Sequence, residues 1–199
     1  MSLFVKAFKI QIIFKVSDVH ISVHHEPERT ADFKEFCHRT INELIKPRVL
    51  LITGDLTDAK SANKLYSEQY RKEWDDFVEA VDGLNGTETI AIRGNHDAFN
   101  EPNHLNSYYA KYLREQRNLA AETELFQIQT DFGNYSLVSV DAAPQPGFKR
   151  PFNFVGYVGE KSLEKLEELK PKLENGNQTV LFGHYPTSSK FLFFIHFPL

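Results

Sequence analysis

Four short polar motifs, each placed directly after an apolar strand-like run, constrain the fold of this chain more than any other feature. In chain order the motifs are Asp18-Val19-His20, Gly54-Asp55-Leu56-Thr57-Asp58, Gly94-Asn95-His96-Asp97 and Gly183-His184, and the runs before them are 12–16, 49–52, 89–92 and 179–182. In sheets built from alternating strands and helices, ligands bind just outside the carboxyl ends of the strands. We therefore expect the four motifs to meet at one edge of the fold.

The residue types in these motifs indicate a site for divalent metal ions. Carboxylate oxygens, an amide oxygen and imidazole nitrogens bind such ions when they converge. Taken alone, each motif also has an ordinary interpretation, as a solvated strand end, a turn or a helix cap. On extended backbone, Asp18 and His20 would share one face, and Asp97 would support the ligands from behind. The presence of all four motifs, in order and after strands, favours the metal site.

Length and composition narrow the class of protein. The 199 residues suffice for one domain with a hydrophobic core, and we take 1–199 as a single domain. The chain is 41% hydrophobic and 13% aromatic, which is typical of a packed globular protein. A net charge of −4 gives no bulk attraction to nucleic acid, so a nuclease is a disfavoured alternative. The single Cys37 excludes an intrachain disulfide and predicts a buried structural thiol.

No stretch of the sequence predicts a transmembrane helix, which needs about 20 mostly apolar residues. The apolar tail 190–199 is too short to cross a bilayer and is atypical of a soluble domain. The sequence therefore predicts no membrane span within the chain and leaves its compartment open.

The hydrophobic pattern of the first half predicts alternating strands and helices. A first helix is expected to begin at Thr30, after a polar loop containing Pro27, and to end at Pro47. Its apolar positions at the helical period are Phe33, Phe36, Cys37, Leu44 and Ile45. A second helix is predicted around Trp74 to Leu84. The first three strands and these two helices form a β-α-β-α-β unit.

The second half predicts a short helix near 108–113, then a hairpin, a helix and a last strand. Residues 125–128 and 135–140 read as antiparallel strands with Gly133-Asn134 as the turn between them, so the sheet would be mixed. An amphipathic helix from Glu160 is expected to end at Pro171. The whole order of elements favours an α/β layered sandwich.

The four motifs resemble the signature of the calcineurin-like metallophosphoesterases, and the resemblance covers almost the whole chain. The matching residues are Asp18-x-His20, Gly54-Asp55-x-x-Asp58, Gly94-Asn95-His96-Asp97 and Gly183-His184. The segments around the first three motifs, together with 132–136 and 147–154, are most similar to a family member whose membrane anchor lies outside this region. The resemblance implies an αββα sandwich with mixed sheets.

The resemblance also implies a centre with two divalent metal ions, which would be Mn, Fe or Zn. The implied ligands are Asp18 and His20 for the first ion, Asp55 as a bridge, and Asn95 and His184 for the second. A metal-bridging hydroxide would then hydrolyse a phosphoester. His96 would protonate the leaving oxygen, and Asp58 would orient His96. The substrate is not implied by these motifs.

The chain departs from the family after His184. Family members carry a further Gly-His-x-His motif whose histidines complete both metal sites, and no such motif follows here. We therefore expect a domain that is incomplete at its C-terminus. The alternative function is a catalytically impaired scaffold that acts as an interaction module or has no independent role. Lys149 and Arg150 lie in a predicted loop and would contact the phosphate or form a solvated basic pair.

Overall fold

A computed structural model describes residues 12–111, 123–130, 133–147, 154–173 and 178–185 of the chain. These residues form six strands and three α-helices. In the first half of the chain three strands alternate with two helices, as predicted. The strands are β1 (Ile13–Val16), β2 (Val49–Thr53), β3 (Glu88–Ile92), β4 (Leu125–Thr130), β5 (Gly133–Ser139) and β6 (Gln178–Phe182). The α-helices are α1 (Pro27–Glu35), α2 (Arg71–Asp82) and α3 (Glu160–Leu173).

The strands form two three-stranded sheets. In the first sheet β2 lies between β1 and β3, and both pairings are parallel. In the second sheet β5 lies between β4 and β6, with β4 antiparallel and β6 parallel to it. The predicted α/β layered sandwich and its antiparallel hairpin are confirmed. The fourth motif follows β6, so it reaches the site from the second sheet and not from the sheet that carries the other three.

The two faces of β2 pack against different layers, because successive side chains of a strand point to opposite sides. Leu50 and Ile52 pack with the helical layer around Trp74 and Phe77. The alternate residues of the first sheet pack against the second sheet in a separate cluster made of Val49, Leu51, Ile90, Ile92, Ile128, Leu137 and Phe182. All five residues of β2 are buried, as expected for a strand covered on both faces.

The first helix differs from its prediction at its start and in its last turns. It begins at Pro27, because proline is favoured in the first turn, where its missing N–H has no helical partner. After Glu35 the helix continues as a π-helical segment, Phe36–Ile45. Bonds from residue i to i+5 widen the turn, so the 3.6-residue period fails there and Leu44 is 71% exposed. Cys37 is buried, as predicted.

Two further boundaries were predicted wrongly. Gly133 and Asn134 pair with Thr130 and Gln129 inside the hairpin ladder, so they are not its turn. The cause is that the pairing continues two residues beyond the apolar positions used to place the strands. Helix α3 continues through Pro171 to Leu173, since a proline so near the end removes only a bond of the final turn.

Some predictions fall outside the described residues. They concern the end of the helix near 108–113, the pair Lys149 and Arg150, and the tail 190–199. Among the residues that are described, no helix combines the length and the hydrophobicity that crossing a bilayer requires.

The double-sided burial of β2 predicts a large cost for truncating its side chains. Leu50 is 0% exposed, and Leu50→Ala should lower the free energy of unfolding by about 2–5 kcal/mol through lost burial and a residual cavity. The matched control is Leu44→Ala, at an exposed leucine, which should change it by less than about 0.5 kcal/mol. Urea unfolding followed by circular dichroism measures both. Equal effects of the two substitutions would contradict this packing arrangement.

Candidate metal centre

The loops that follow β1 and β2 run side by side and extend the parallel pairing of the two strands. Main-chain N–H groups of Asp18, His20 and Ile21 donate to the carbonyls of Gly54, Asp55 and Leu56 at 3.1, 2.9 and 3.1 Å. The N–H of Asp58 donates back to the Ile21 carbonyl at 2.8 Å. This pairing holds the first motif against the second. The strand pattern of the sequence predicts that the two motifs share an edge of the sheet, but not that their main chains are hydrogen-bonded.

The backbone of the ligand residues is left-handed and not extended, so the prediction of a two-residue repeat at Asp18 and His20 is wrong. Their φ angles are 57° and 48°, and that of Asp55 is 53°. The pairing of the two loops imposes this conformation, which costs about 1–3 kcal/mol per residue. The side chains nevertheless converge, with His20 Nε2 at 3.8 Å from Asp18 Oδ1 and 3.5 Å from Asp55 Oδ2.

Two glycines allow the strand ends to come this close. A Cβ at Gly94 would lie 2.2 Å from Asp55 Oδ1 and 2.4 Å from Asp55 N. A Cβ at Gly54, where φ is +90°, would lie 2.5 Å from His184 Nδ1. Both positions therefore need glycine for space, and Gly54 needs it for its backbone angle as well.

Asp97 holds the second motif in place through hydrogen bonds, in agreement with the supporting role expected from the sequence. Its buried carboxylate accepts main-chain hydrogen bonds from Leu56, Thr57 and Gly94, at distances between 2.7 and 3.1 Å, and a hydroxyl bond from Thr57 at 3.2 Å. These bonds fix the turn that presents Asp55. The Asp55 carboxylate itself accepts the N–H of His96 at 3.0 Å.

Two histidines each place Nδ1 against a main-chain carbonyl and Nε2 towards Asp55. His184 Nδ1 lies 2.9 Å from the Thr53 carbonyl oxygen, and His96 Nδ1 contacts the Asp58 carbonyl oxygen. Carbonyl oxygens only accept, so Nδ1 donates and the neutral ring keeps its lone pair on Nε2. His184 Nε2 then faces two oxygens, Asn95 Oδ1 at 2.9 Å and Asp55 Oδ1 at 3.4 Å. This arrangement is typical of histidines that bind metal ions.

The donors form two clusters that share Asp55. One contains His20, Asp55 and His96, the other Asp18, Asp55 and His184, and within each cluster the ligand atoms lie within 4.8 Å of one another. Asn95 lies beside the second cluster through its contact with His184. The structure thus brings all the sequence-predicted site residues together. His96, predicted as an acid, lies in the same cluster as His20 and Asp55. The division of the ligands between two ions stays a prediction.

The electrostatics of the clusters fit a bound cation. Burial, reinforced by the Asp97 carboxylate, raises the pKa of Asp55 to about 8. Burial and the neighbouring His20 ring lower the pKa of His96 to about 3, and burial also lowers the pKa of His20. A divalent ion would favour the ionised carboxylate and requires neutral imidazoles, so this donor set suits such an ion.

Asp58 contacts His96 mainly through its main chain. Its side chain lies 3.7 Å from His96 Nδ1 and is bound by Lys60 Nζ at 2.6 Å. Burial alone would raise the pKa of Asp58, but the Lys60 ammonium outweighs it and holds that pKa below its usual value. Lys60 was not identified from the sequence, although its place two residues after the motif is a usable signal.

Glu73 is a second residue that the sequence did not reveal. Its buried carboxylate accepts the N–H of Val23 at 3.0 Å and the N–H of Ala59 at 2.9 Å. It therefore ties helix α2 to the ends of both ligand loops. Burial raises the pKa of Glu73 to about 7. A carboxylate three residues into an amphipathic helix gives no sequence signal for such a role.

A buried ion pair connects the ends of β3 and β5. Arg93 follows β3, and its Nε and Nη2 atoms donate to Asp141 Oδ2 at 3.0 and 2.6 Å. Both side chains are almost fully buried. The pair joins the segment that leads into the third motif to the second sheet, which also supplies His184.

Comparison with known proteins agrees with this geometry. The sequence profile of the calcineurin-like phosphoesterases matches residues 13–194. The chain belongs to the calcineurin-like phosphoesterase family. This match confirms the resemblance inferred from the motifs. Members of this family bind divalent metal ions and hydrolyse phosphoesters.

Two curated relatives match at the level of sequence. The chain is 40% identical over 180 residues to Transmembrane protein 62 of Mus musculus, covering 88% of this chain and 27% of that protein. It is 31% identical over 189 residues to a candidate metallophosphoesterase of Arabidopsis thaliana, covering 88% of this chain and 25% of that protein. The chain therefore spans about a quarter of the length of these relatives.

The raised pKa of Glu73 predicts a specific pH dependence of stability. The folded chain holds this proton more tightly than the unfolded chain, so the free energy of unfolding should fall as pH rises from 4.5 to about 7. We expect Glu73→Gln to flatten the curve in this range. The control is Glu167→Gln, at an exposed carboxylate of α3. Urea unfolding at a series of pH values measures the slope, and an unchanged slope in Glu73→Gln would contradict the assignment.

The lack of space at Gly94 predicts a loss of metal binding together with a loss of stability. The Cβ in Gly94→Ala must displace both the carboxylate and the main-chain N of Asp55, so the affinity of the folded chain for Mn²⁺ should fall by about 10–100-fold and its free energy of unfolding should fall as well. The control Gly83→Ala adds a Cβ whose nearest neighbour is 3.6 Å away. Calorimetric titration with Mn²⁺ and circular dichroism measure binding and folding. Wild-type affinity in a folded Gly94→Ala would contradict this geometry.

Proposed function

We propose that this chain is the hydrolytic domain of a dinuclear-metal phosphoesterase. The observation that carries the proposal is the convergence of three imidazole Nε2 atoms on one buried carboxylate. The Nε2 atoms of His20, His96 and His184 lie 3.5, 3.9 and 3.4 Å from oxygens of Asp55. Both oxygens of Asp55 take part, which suits a carboxylate that bridges two ions.

The chain's own residues would have distinct roles. Asp18 and His20 would hold one ion, Asn95 and His184 the other, and Asp55 would bridge them. Two bound divalent ions would supply charge neutralisation for the phosphate and an activated water. Asp97 and Glu73 keep the ligand loops in place through the main-chain bonds described above.

His96 has a second role in the proposal, as the acid that protonates the leaving oxygen. Its pKa of about 3 leaves the ring neutral at pH 7, with a proton on Nδ1 and a lone pair on Nε2. Bound cations would lower this pKa and the negative charge of a bound phosphate would raise it. The acid role therefore requires that Nε2 first takes up a second proton, which it would then deliver to the leaving oxygen.

The experiment is Mn²⁺-dependent hydrolysis of p-nitrophenyl phosphate. We expect turnover that is removed by a chelator and restored by Mn²⁺, and a loss of at least about 10²-fold in Asp55→Asn, which removes the bridging charge but keeps the shape. The control is Asp75→Asn, at a surface carboxylate paired with Arg71, which should keep wild-type rates. A folded, metal-loaded chain without turnover would contradict the enzymatic function.

The second candidate function is a scaffold with weak metal binding that serves as an interaction module. The observation that favours it is the composition of the second cluster, in which His184 is the one imidazole beside Asp18, Asp55 and the neutral amide of Asn95 among the described residues. Calorimetric titration with Mn²⁺ separates the two candidates. Two tight sites support the phosphoesterase, and one weak site or none supports the scaffold.

A further inference from the structure

A polar cavity opens beside the candidate metal centre. Its volume is about 190 Å³. It is lined by His20, Ser22, His25, Glu26, Arg29, Asp58, Lys60 and Lys64. Two of these residues, His20 and Asp58, also belong to the metal centre, so the cavity and the centre share a wall. The other residues come from the loop before α1, from the first turn of α1 and from the loop after the second motif.

The charges of the cavity favour an anion. Arg29, Lys60 and Lys64 carry three permanent positive charges against the two carboxylates of Glu26 and Asp58. Within this lining, Glu26 forms an ion pair with Arg29 and Asp58 forms one with Lys60. The lining therefore has a net charge of about +1 with neutral histidines, although the whole chain has a net charge of −4.

The wall of the cavity is held by internal hydrogen bonds. The Ser61 carbonyl lies 3.0 Å from His25 Nε2 and accepts the main-chain N–H of Lys64 at 2.8 Å. Ser22 Oγ accepts the N–H of His25 at 3.0 Å. These bonds join the loop after β1 to the loop that carries the two lysines. The charged groups thus lie on two loops whose backbones are joined by hydrogen bonds.

The size of the cavity limits what it can hold. Sites for drug-sized ligands usually have volumes of about 300–1,000 Å³. A cavity of about 190 Å³ is large enough for one small charged group. Because His20 and Asp58 border both spaces, such a group would be only a few bonds away from a phosphate held at the metal centre.

We propose that this cavity is the subsite for a second anionic group of the substrate, a carboxylate or a further phosphate. The substrate class is then a small phosphoester that carries another negative charge near the scissile phosphate. Arg29 and Lys64 contact the second group, and the metal centre holds the first. This inference rests on the proposed function of the centre.

The test uses phosphonates that cannot be hydrolysed, so it does not depend on turnover. Benzylphosphonate and its 2-, 3- and 4-carboxy derivatives are titrated calorimetrically into the Mn²⁺-loaded chain. At least one carboxy derivative should bind about tenfold more tightly than benzylphosphonate. The readout is the ratio of the affinity for the carboxy derivative to the affinity for benzylphosphonate. A loss of folding or of metal would lower both affinities and leave this ratio unchanged.

Substitutions then assign the preference to the cavity. Arg29→Gln and Lys64→Gln should each reduce the affinity ratio by about threefold or more, and the double variant should bring it close to one. Arg71→Gln removes an exposed cation that pairs with Asp75 on α2, and it should keep the ratio. A preference that survives the double variant would place the second anionic group elsewhere and overturn the subsite.

The outcomes also separate this inference from the proposed function. Equal affinity for all four phosphonates overturns the subsite and leaves the metal centre standing. Failure of the Mn²⁺-treated chain to bind any of them overturns the phosphate-binding function, and the subsite with it.

Discussion

The main-chain pairing between the loops after β1 and β2 determines where the functional groups lie. It starts as an ordinary parallel ladder and continues through four bonds into residues 18–21 and 54–58. Strand pairing normally ends where the strands end, and here the continued bonds require left-handed backbone at three ligand residues. The local cost is offset by hydrogen bonds that main-chain N–H groups of these loops donate to the buried carboxylates of Asp97 and Glu73, which lie on other elements.

Buried carboxylates are concentrated around these loops, and this concentration costs stability. Asp55, Asp97 and Glu73 are each at most 3% exposed, and ionised groups that are removed from water need compensation. Asp97 receives it from several N–H groups, and Glu73 from two. Asp55 accepts the N–H of His96, and three imidazole Nε2 atoms lie within 3.9 Å of its oxygens. A cation bound at this position would compensate the charge of Asp55 further.

The sequence was sufficient to predict most strands and helices and the grouping of polar side chains at one edge, because these depend on local patterns. Apolar runs place strands, and polar residues directly after them lie at a common edge. The left-handed angles at Asp18 and His20 depend on bonds to a loop more than thirty residues away, so no local pattern indicates them. The same holds for Glu73, whose partners lie in other segments. In the π-helical segment, by contrast, a local pattern was present but misleading. The 3.6-residue period predicted that Leu44 is buried, and it is exposed.

With His184 as a ligand, the proposed centre would depend on the packing of the two sheets. Its strand, β6, belongs to the second sheet, while Asp18, Asp55 and Asn95 follow strands of the first. The distance between His184 and Asp55 is therefore set by the apolar layer between the sheets and by the Arg93–Asp141 pair. An ion that binds ligands from both sheets stabilises only the state in which the sheets are packed. In the proposed centre, metal binding and sheet packing would thus be thermodynamically linked, and a change in the apolar layer would alter the centre without touching a ligand.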